Sequence, residues 1–264
     1  MSTLTPSADA PPTGASPPTS VQGSFGLSTR TQIACAWAGI YLIVLVVGGW
    51  LVMTRFIPPM GANDSAQQIA DHYRDNTDVI RAGLVIGFCG WAGWGALTAV
   101  IAVQMNRMHP KRPVLAMIQL ISGAGGWIFL SAATIILIVA SFRPERSPEL
   151  TQTLHDLGWI MLFITVPIFS FQALVIGVAT LKRDVARQVY PRWFGFLNIW
   201  VAILFVPALF LPFFKTGPFS WQGAAVYWLA FVVFFTWILA MWVVIRAAAK
   251  EELQEHVEAA AAQA

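Results

Sequence analysis

Charged residues are scarce in this chain of 264 residues, and their scarcity argues against an ordinary soluble domain. Asp, Glu, Lys and Arg make up 11% of the residues and hydrophobic residues 57%, whereas a soluble domain has about 25% charged residues. Charges are nearly absent from six apolar windows, each long enough to cross about 30 Å of hydrocarbon. Because a backbone in lipid must satisfy its own hydrogen bonds, the sequence predicts an all-α polytopic transmembrane helical bundle. The sequence predicts about six spans, which lie near 33–54, 83–105, 114–142, 155–181, 193–214 and 222–245.

Cysteine and histidine are also rare, which excludes several kinds of site. Cys35 and Cys89 lie at different depths of the first two spans and form no CxxC pattern, so neither a disulfide framework nor a thiolate metal site is predicted. The four histidines lie in connections or at span edges, and no ionisable residue lies near the middle of a span. Paired haem ligands, a di-iron centre and an intramembrane proton relay are therefore not predicted, and we expect no cofactor.

Lysine and arginine are scattered among the connections, so the net charge of +3 does not indicate a nucleic-acid partner. Their distribution predicts an orientation instead. If the N-terminus is inside, the cytoplasmic connections hold ten basic residues and the outer connections hold six. The positive-inside rule therefore favours a multi-pass protein with both termini in the cytoplasm.

Two different terminal segments flank the apolar region. Residues 1–29 are rich in Pro, Ser, Thr, Ala and Gly, carry one charged side chain, and predict a disordered cytoplasmic tail. This segment has no basic n-region, which argues against a removable signal peptide. Residues 30–247 form the predicted six-helix transmembrane domain. Residues 248–264, rich in Ala and Glu, predict a helical cytoplasmic tail.

The longest strongly polar stretch between the first and last apolar runs is FIPPMGANDSAQQIADHYRDN, residues 56–76. Its two prolines end the first helix, and Ser65 followed by Gln68 has the pattern of a capping box. Apolar residues then recur at helical spacing at Ala66, Ile69, Ala70 and Tyr73. The stretch predicts a short outer amphipathic helix between spans 1 and 2, which lies on the membrane surface or folds over the bundle. A solvated connector is the plainer alternative.

Carboxylates and imidazoles concentrate on the predicted outer side. If the connector folds over the bundle, they form a group able to hold a divalent cation, and the metal candidates are Asp71, His72, Asp75, His155 and Asp156. The same group is able to act in acid and base catalysis, with His72, His155 and Asp156 as the catalytic candidates. No HExxH or similar ligand spacing supports such a site. The competing interpretation is a solvated, salt-bridged rim.

Tryptophan is abundant, with 12 residues. We place six near the membrane interfaces, where aromatic belts form: Trp37, Trp50, Trp159, Trp193, Trp221 and Trp242. A deeper set lies near three amides and predicts a pocket for a hydrophobic molecule, since such pockets are mostly apolar with few polar anchors. This set comprises Trp91, Trp94, Trp127, Trp200, Gln119, Gln172 and Asn198. Ordinary core packing, with the amides bonded between helices, is the alternative.

Small residues and one proline predict how the spans pack. Gly83 and Gly87 form a GxxxG pattern, and Ser122 and Gly126 form a second pair of small residues at the same spacing. Such pairs let helix backbones approach closely, either within one chain or in a homo-oligomer. Pro167 lies in the middle of the fourth span and predicts a kink there.

Three stretches, taken together, resemble an uncharacterised family of small multi-span bacterial integral membrane proteins. They are FIPP…IADHYRDN…IRAG at 56–83, YPRWFGFLNIWVAILFVPALF at 190–210 and FFKTGPFSW at 213–221. The resemblance covers nearly everything after the N-terminal tail. It implies a location in the bacterial cytoplasmic (inner) membrane and implies no activity or site.

The sequence favours a non-enzymatic function. We expect the protein to bind, pass or scaffold a hydrophobic molecule in the bilayer, or to serve as an accessory subunit of a membrane complex. Its expected partners are the lipid bilayer, a hydrophobic small molecule, and a membrane-complex partner or second copy of the chain. A membrane enzyme that acts on a lipid-like substrate through the outer Asp/His cluster is the alternative. A secondary transporter is third, because the interior of the spans is uncharged.

Overall fold

Six helices long and apolar enough to cross a membrane form the bundle in the computed structural model, which describes residues 27–57, 59–111 and 113–262 except for the side chain of His256. No strand occurs within this described part of the chain. The predicted all-α polytopic bundle is therefore confirmed. Most of the predicted disordered tail, residues 1–26, lies outside the described residues. The six spans are Thr29–Met53, Thr77–Met108, Val114–Phe142, Pro148–Leu181, Arg192–Phe213 and Ala224–Ala261.

Several spans contain more than one helical segment. The α-helices are α1 (Thr29–Leu45), α2 (Ala66–Asp75), α3 (Thr77–Met108), α4 (Val114–Phe142), α5 (Pro148–Ile164), α6 (Val166–Leu181), α7 (Arg192–Leu204) and α8 (Leu229–Ala261). A π-helical stretch, Val46–Met53, continues α1, a second one, Ala224–Trp228, precedes α8, and the 3-10 stretch Val206–Phe213 continues α7. The fourth span breaks at Thr165, because Pro167 has no amide hydrogen to donate along the helix.

Glycines on α3 bring the first two spans into close contact. A Cβ atom at Gly87 would lie 2.4 Å from the Cβ of Trp50, and one at Gly93 would lie 2.3 Å from the carbonyl oxygen of Ala38. Gly83 meets the backbone of the first span in the same way. The GxxxG pattern therefore packs two spans of one chain against each other, and the contact continues beyond the pattern to Gly93.

Polar side chains join three spans at one end of the bundle. We call it the tail end, the end that carries the connections 109–113 and 182–191 and the last turns of α8. Arg107 and Glu252 form an ion pair of 3.0 Å there, with both side chains less than one fifth exposed. The Gln32 amide donates to the same carboxylate at 2.7 Å, and Gln104 donates to Gln32 at 3.0 Å. The chain of contacts ties α1 and α3 to the part of α8 that extends past the apolar stretch.

The opposite end, which we call the cap end, is made of the connections 54–76, 143–147 and 214–223. Helix α2 folds over the bundle here, because its apolar residues Ile69, Ala70 and Tyr73 are all buried. The capping box predicted at Ser65 and Gln68 is present, with both reciprocal hydrogen bonds formed. The short helix thus covers the end of the bundle rather than lying apart from it.

Candidate functional site

The cap end places His155 inside an aromatic cage. Its ring is fully buried, and the rings of Tyr73, Trp159, Trp221 and Phe56 have their centroids between 5.7 and 6.2 Å from it. The Nδ1 atom shares a hydrogen bond of 3.0 Å with the Tyr73 hydroxyl. Among the described residues, Nε2 has no hydrogen-bond partner, although the backbone of Met60 lies close to the imidazole. The cage separates this imidazole from water.

Hydrogen bonds from the last span and from the connection that precedes it close the cage. The indole of Trp221 donates to the carbonyl oxygen of Met60 at 2.7 Å, and the Tyr227 hydroxyl donates to the carbonyl oxygen of Phe56. Burial raises the pKa of the Tyr73 phenol, and the nearby Asp156 charge adds to that effect, so the phenol stays neutral. The cage is therefore a neutral, hydrogen-bonded aromatic assembly.

The remaining outer candidates make contacts of their own and do not converge with His155 on one point. His72 stacks on Phe56 and approaches the carbonyl oxygen of Thr54 at 3.3 Å, and burial lowers the pKa of His72 while that hydrogen bond partly opposes the shift. The Asp71 carboxylate pairs with Arg74 at 3.1 Å, and Asp75 is exposed.

The Asp156 side chain is half-buried, and its carboxylate makes no hydrogen bond or ion pair within the described part of the chain. Within the described part of the chain, no group of three His, Cys, Asp or Glu side chains is placed to hold a metal ion. The structure thus does not assemble the five predicted metal candidates into one site.

Several tryptophans differ in exposure from what the predicted aromatic belts require. Trp50, Trp159 and Trp221 were predicted at the membrane interfaces but are buried inside the protein, at 0%, 0% and 5% exposure. Trp127 and Trp200, which were predicted beside the pocket amides, are 38% and 61% exposed on the outer surface of the bundle. The distinction was invisible in the sequence because depth along a helix does not determine which face the residue occupies.

Two of the predicted pocket tryptophans, Trp91 and Trp94, do lie in the core of the bundle. The Trp91 indole donates to the Thr134 hydroxyl at 2.9 Å, and the Trp94 indole donates to the carbonyl oxygen of Gly123 at 3.0 Å. Both rings are at most 2% exposed. Trp94 also packs face to face with Phe234, with ring centroids 5.3 Å apart.

Beside Trp94 lies a group that we call the amide cluster, formed by Thr98, Gln119 and Gln172 around Gly123. A Cβ atom at Gly123 would lie 2.7 Å from Gln172 Nε2 and 2.8 Å from the Thr98 hydroxyl, so only glycine leaves room for these two side chains. All three polar side chains are at most 2% exposed. Gln119 makes one long hydrogen bond of 3.4 Å, to the carbonyl oxygen of Thr98.

Several polar atoms of the amide cluster lack hydrogen-bond partners among the described residues. Neither Nε2 nor Oε1 of Gln172 has a hydrogen-bond partner among the described residues, and the same holds for Gln119 Oε1 and the Thr98 hydroxyl. By contrast, the third predicted amide, Asn198, accepts from the Trp237 indole at 2.9 Å and donates to the Phe194 carbonyl at 2.8 Å. Leaving a buried polar group without a partner is costly, and the Gln172 amide leaves both of its polar atoms in that state within the described part of the chain.

A narrow apolar cleft of about 50 Å³ opens one helical turn away. Phe169 connects the two features, since it lines the cleft and packs against Gly126, one turn from the contact of Gln172 with Gly123. The cleft is lined by aromatic and aliphatic side chains from α3, α4, both halves of the fourth span, the fifth span and α8: Trp91, Leu130, Leu162, Phe163, Val166, Phe169, Phe205, Ala230, Phe231 and Phe234. We call it the aromatic cleft.

These features define the class of the molecule, a multi-pass integral membrane protein whose buried polar atoms lie beside an apolar cleft. A scan against protein-family models and searches of curated proteins and solved structures find no match to this chain. The resemblance drawn from the three sequence stretches therefore stays a prediction, and function has to be argued from geometry.

Proposed function

We propose that this membrane protein binds a slender hydrophobic molecule within the bilayer, with its hydrocarbon chain in the aromatic cleft and one hydrogen-bonding group at the amide cluster. The observation that carries the proposal is the Gln172 side chain, which is fully buried with both amide atoms unpaired among the described residues. Its position one helical turn from Phe169 places a donor and an acceptor beside an apolar wall, as in sites for small apolar ligands.

The chemistry of the lining selects the ligand class. The cleft presents aliphatic and aromatic carbon with no charged side chain among its lining residues, which favours hydrocarbon over a charged solute. Its small volume admits only a short stretch of a single chain and no bulky ring system. An amide donates and accepts, so a hydroxyl or carbonyl on the ligand is the matching group. We therefore expect a lipid-like alcohol, ester or ketone to bind more tightly than a plain alkane.

The test uses brominated probes that quench tryptophan fluorescence at short range. Dibrominated stearyl alcohol and dibrominated octadecane are titrated into the purified protein in a neutral detergent. We expect saturable quenching by both, with roughly 5- to 10-fold tighter binding of the alcohol, as one hydrogen bond in a dry site provides. In Gln172→Met this preference should disappear while alkane binding persists.

A pair of matched variants tests the position of the cleft. Ala230→Phe fills the cleft, since Ala230 lines it and is 8% exposed. Ala124→Phe makes the same change on the exposed surface of α4. We expect Ala230→Phe to abolish saturable quenching and Ala124→Phe to retain it. Equal quenching of the two variants, or no saturable change with either probe in the parent protein, would refute the proposal.

A further inference from the structure

A second group of unpaired polar atoms lies at the tail end, far along α8 from the aromatic cleft. The guanidinium of Arg246 sits over the ring of Trp242 at 4.5 Å and over the ring of Trp37 at 5.4 Å. The two indoles meet edge to face at 5.2 Å. One arginine is thus held between two tryptophans from the first and last spans, an arrangement stabilised by cation–π attraction.

Both orphaned atoms at this place are donors. Arg246 Nε and Trp242 Nε1 are buried and have no hydrogen-bond partner within the described residues. Indole and guanidinium groups donate but never accept, and arginine keeps its charge in proteins. A ligand that pairs with them would supply acceptor oxygens, and an anion matches best.

The surrounding charges leave Arg246 free for an external anion. The nearby carboxylates of α8 are engaged elsewhere, because Glu252 pairs with Arg107 while Glu251 and Glu255 pair with Arg187. Lys250 follows Arg246 by four residues, on the same face of α8, and is exposed. Two positive side chains therefore share this face.

The depth of the group points to a lipid rather than a soluble anion. Arg246 is the first charged residue after the apolar stretch that begins near residue 222, so it lies where hydrocarbon gives way to headgroups. Trp37 is 48% exposed on the surface that faces the bilayer. We propose that Arg246, Trp37 and Trp242 bind the phosphate of an anionic phospholipid, with its glycerol and upper chains against the indole rings and Lys250 near the headgroup.

The experiment measures the first bound lipid by native mass spectrometry of the full chain in a neutral detergent, titrated with phosphatidylglycerol or phosphatidylcholine. We expect the parent protein to retain phosphatidylglycerol preferentially. Arg246→Gln should lower that affinity at least about fivefold, the effect of one basic group near an anionic headgroup, and leave phosphatidylcholine unchanged. Arg246→Lys keeps the positive charge and serves as the control for misfolding. It should lose part of the preference for phosphatidylglycerol, because an ammonium group lacks the planar set of donors that a guanidinium presents to a phosphate.

Two controls make the outcome decisive. Arg183→Gln removes an exposed charge from the same end of the bundle and should leave lipid retention unchanged. Equal losses in Arg183→Gln and Arg246→Gln would reduce the effect to general electrostatics and overturn the proposal. Soluble glycerol phosphate at millimolar concentration should fail to displace the lipid. Displacement by it would identify a free-anion site and overturn the assignment to a phospholipid.

Discussion

Replacing Gln172 with methionine should stabilise the protein even though it damages the proposed site. The amide is fully buried and has no partner within the described residues, so both of its polar atoms are desolvated without compensation. Leaving a polar group buried without a partner costs about 1–3 kcal/mol. Methionine has a similar volume and no strong polar atom, so it removes that cost with little repacking. We expect a gain of about 1–2 kcal/mol in the free energy of unfolding without ligand.

Asn198 supplies the matched control. This amide has the same burial as Gln172 but makes two hydrogen bonds, from the Trp237 indole and to the Phe194 carbonyl. Asn198→Leu keeps the approximate shape and leaves the Trp237 N–H buried without an acceptor. It should therefore destabilise the protein by about 1–3 kcal/mol. Two substitutions of buried amides are thus predicted to have opposite signs.

Both changes in the free energy of unfolding are measured by reversible unfolding of lipid-free protein in mixed micelles. The fraction of denaturing detergent in the micelles is varied. The same samples are then challenged with stearyl alcohol. The parent protein should gain stability with the alcohol through its preferential binding to the folded state. Gln172→Met should lose most of that gain. If both substitutions destabilise by similar amounts, the Gln172 amide has an internal partner and the reasoning about the amide cluster fails.

Three further predictions concern the rest of the bundle. Gly93→Ala should destabilise by about 1–3 kcal/mol in thermal unfolding, because its Cβ meets a carbonyl oxygen at 2.3 Å, whereas Gly95→Ala, with nothing nearer than 3.7 Å, should not destabilise. The contribution of His72 to the free energy of unfolding should be complete above about pH 6.5 and decline as the pH falls towards its lowered pKa. The His72→Gln variant should lose less stability than the parent protein over the same pH range. Glu252→Gln should cost about 2 kcal/mol by leaving a largely buried arginine uncompensated, while the exposed Glu258→Gln should be silent in the same melts.

The spans were predictable because their signal is local. A run of uncharged residues long enough to cross a bilayer specifies a helix regardless of its neighbours, and the capping box at Ser65 and Gln68 marks where α2 begins. The contact at the GxxxG pair was likewise predictable, since close approach of two helices requires small residues at fixed spacing. Even the break near Pro167 follows from the chemistry of one residue.

The relations between spans were not predictable, because they depend on helix rotation and on the choice of neighbours. Gln172 and Asn198 are both amides in apolar runs, yet one is unpaired within the described part of the chain and the other is bonded twice. His155 was grouped with carboxylates by its position near the outer side, whereas rotation of α5 turns it towards aromatic rings. The sequence predicts Arg246 only as one of the ten basic residues of the cytoplasmic connections, because its stacking depends on Trp37 in another span.

The interlocked cap end also constrains how the chain is made. Met60 and Ala62 each rely on a side-chain partner about 160 positions later in the sequence, Trp221 and Gln222 respectively. Synthesis runs from the N-terminus, so these partners leave the ribosome long after the first hairpin has been inserted. Until then the aromatic cage lacks one wall and His155 stays uncovered. The last hairpin is thus the closing step of assembly, and a nascent chain halted before Trp221 would present an unfinished surface to quality-control machinery.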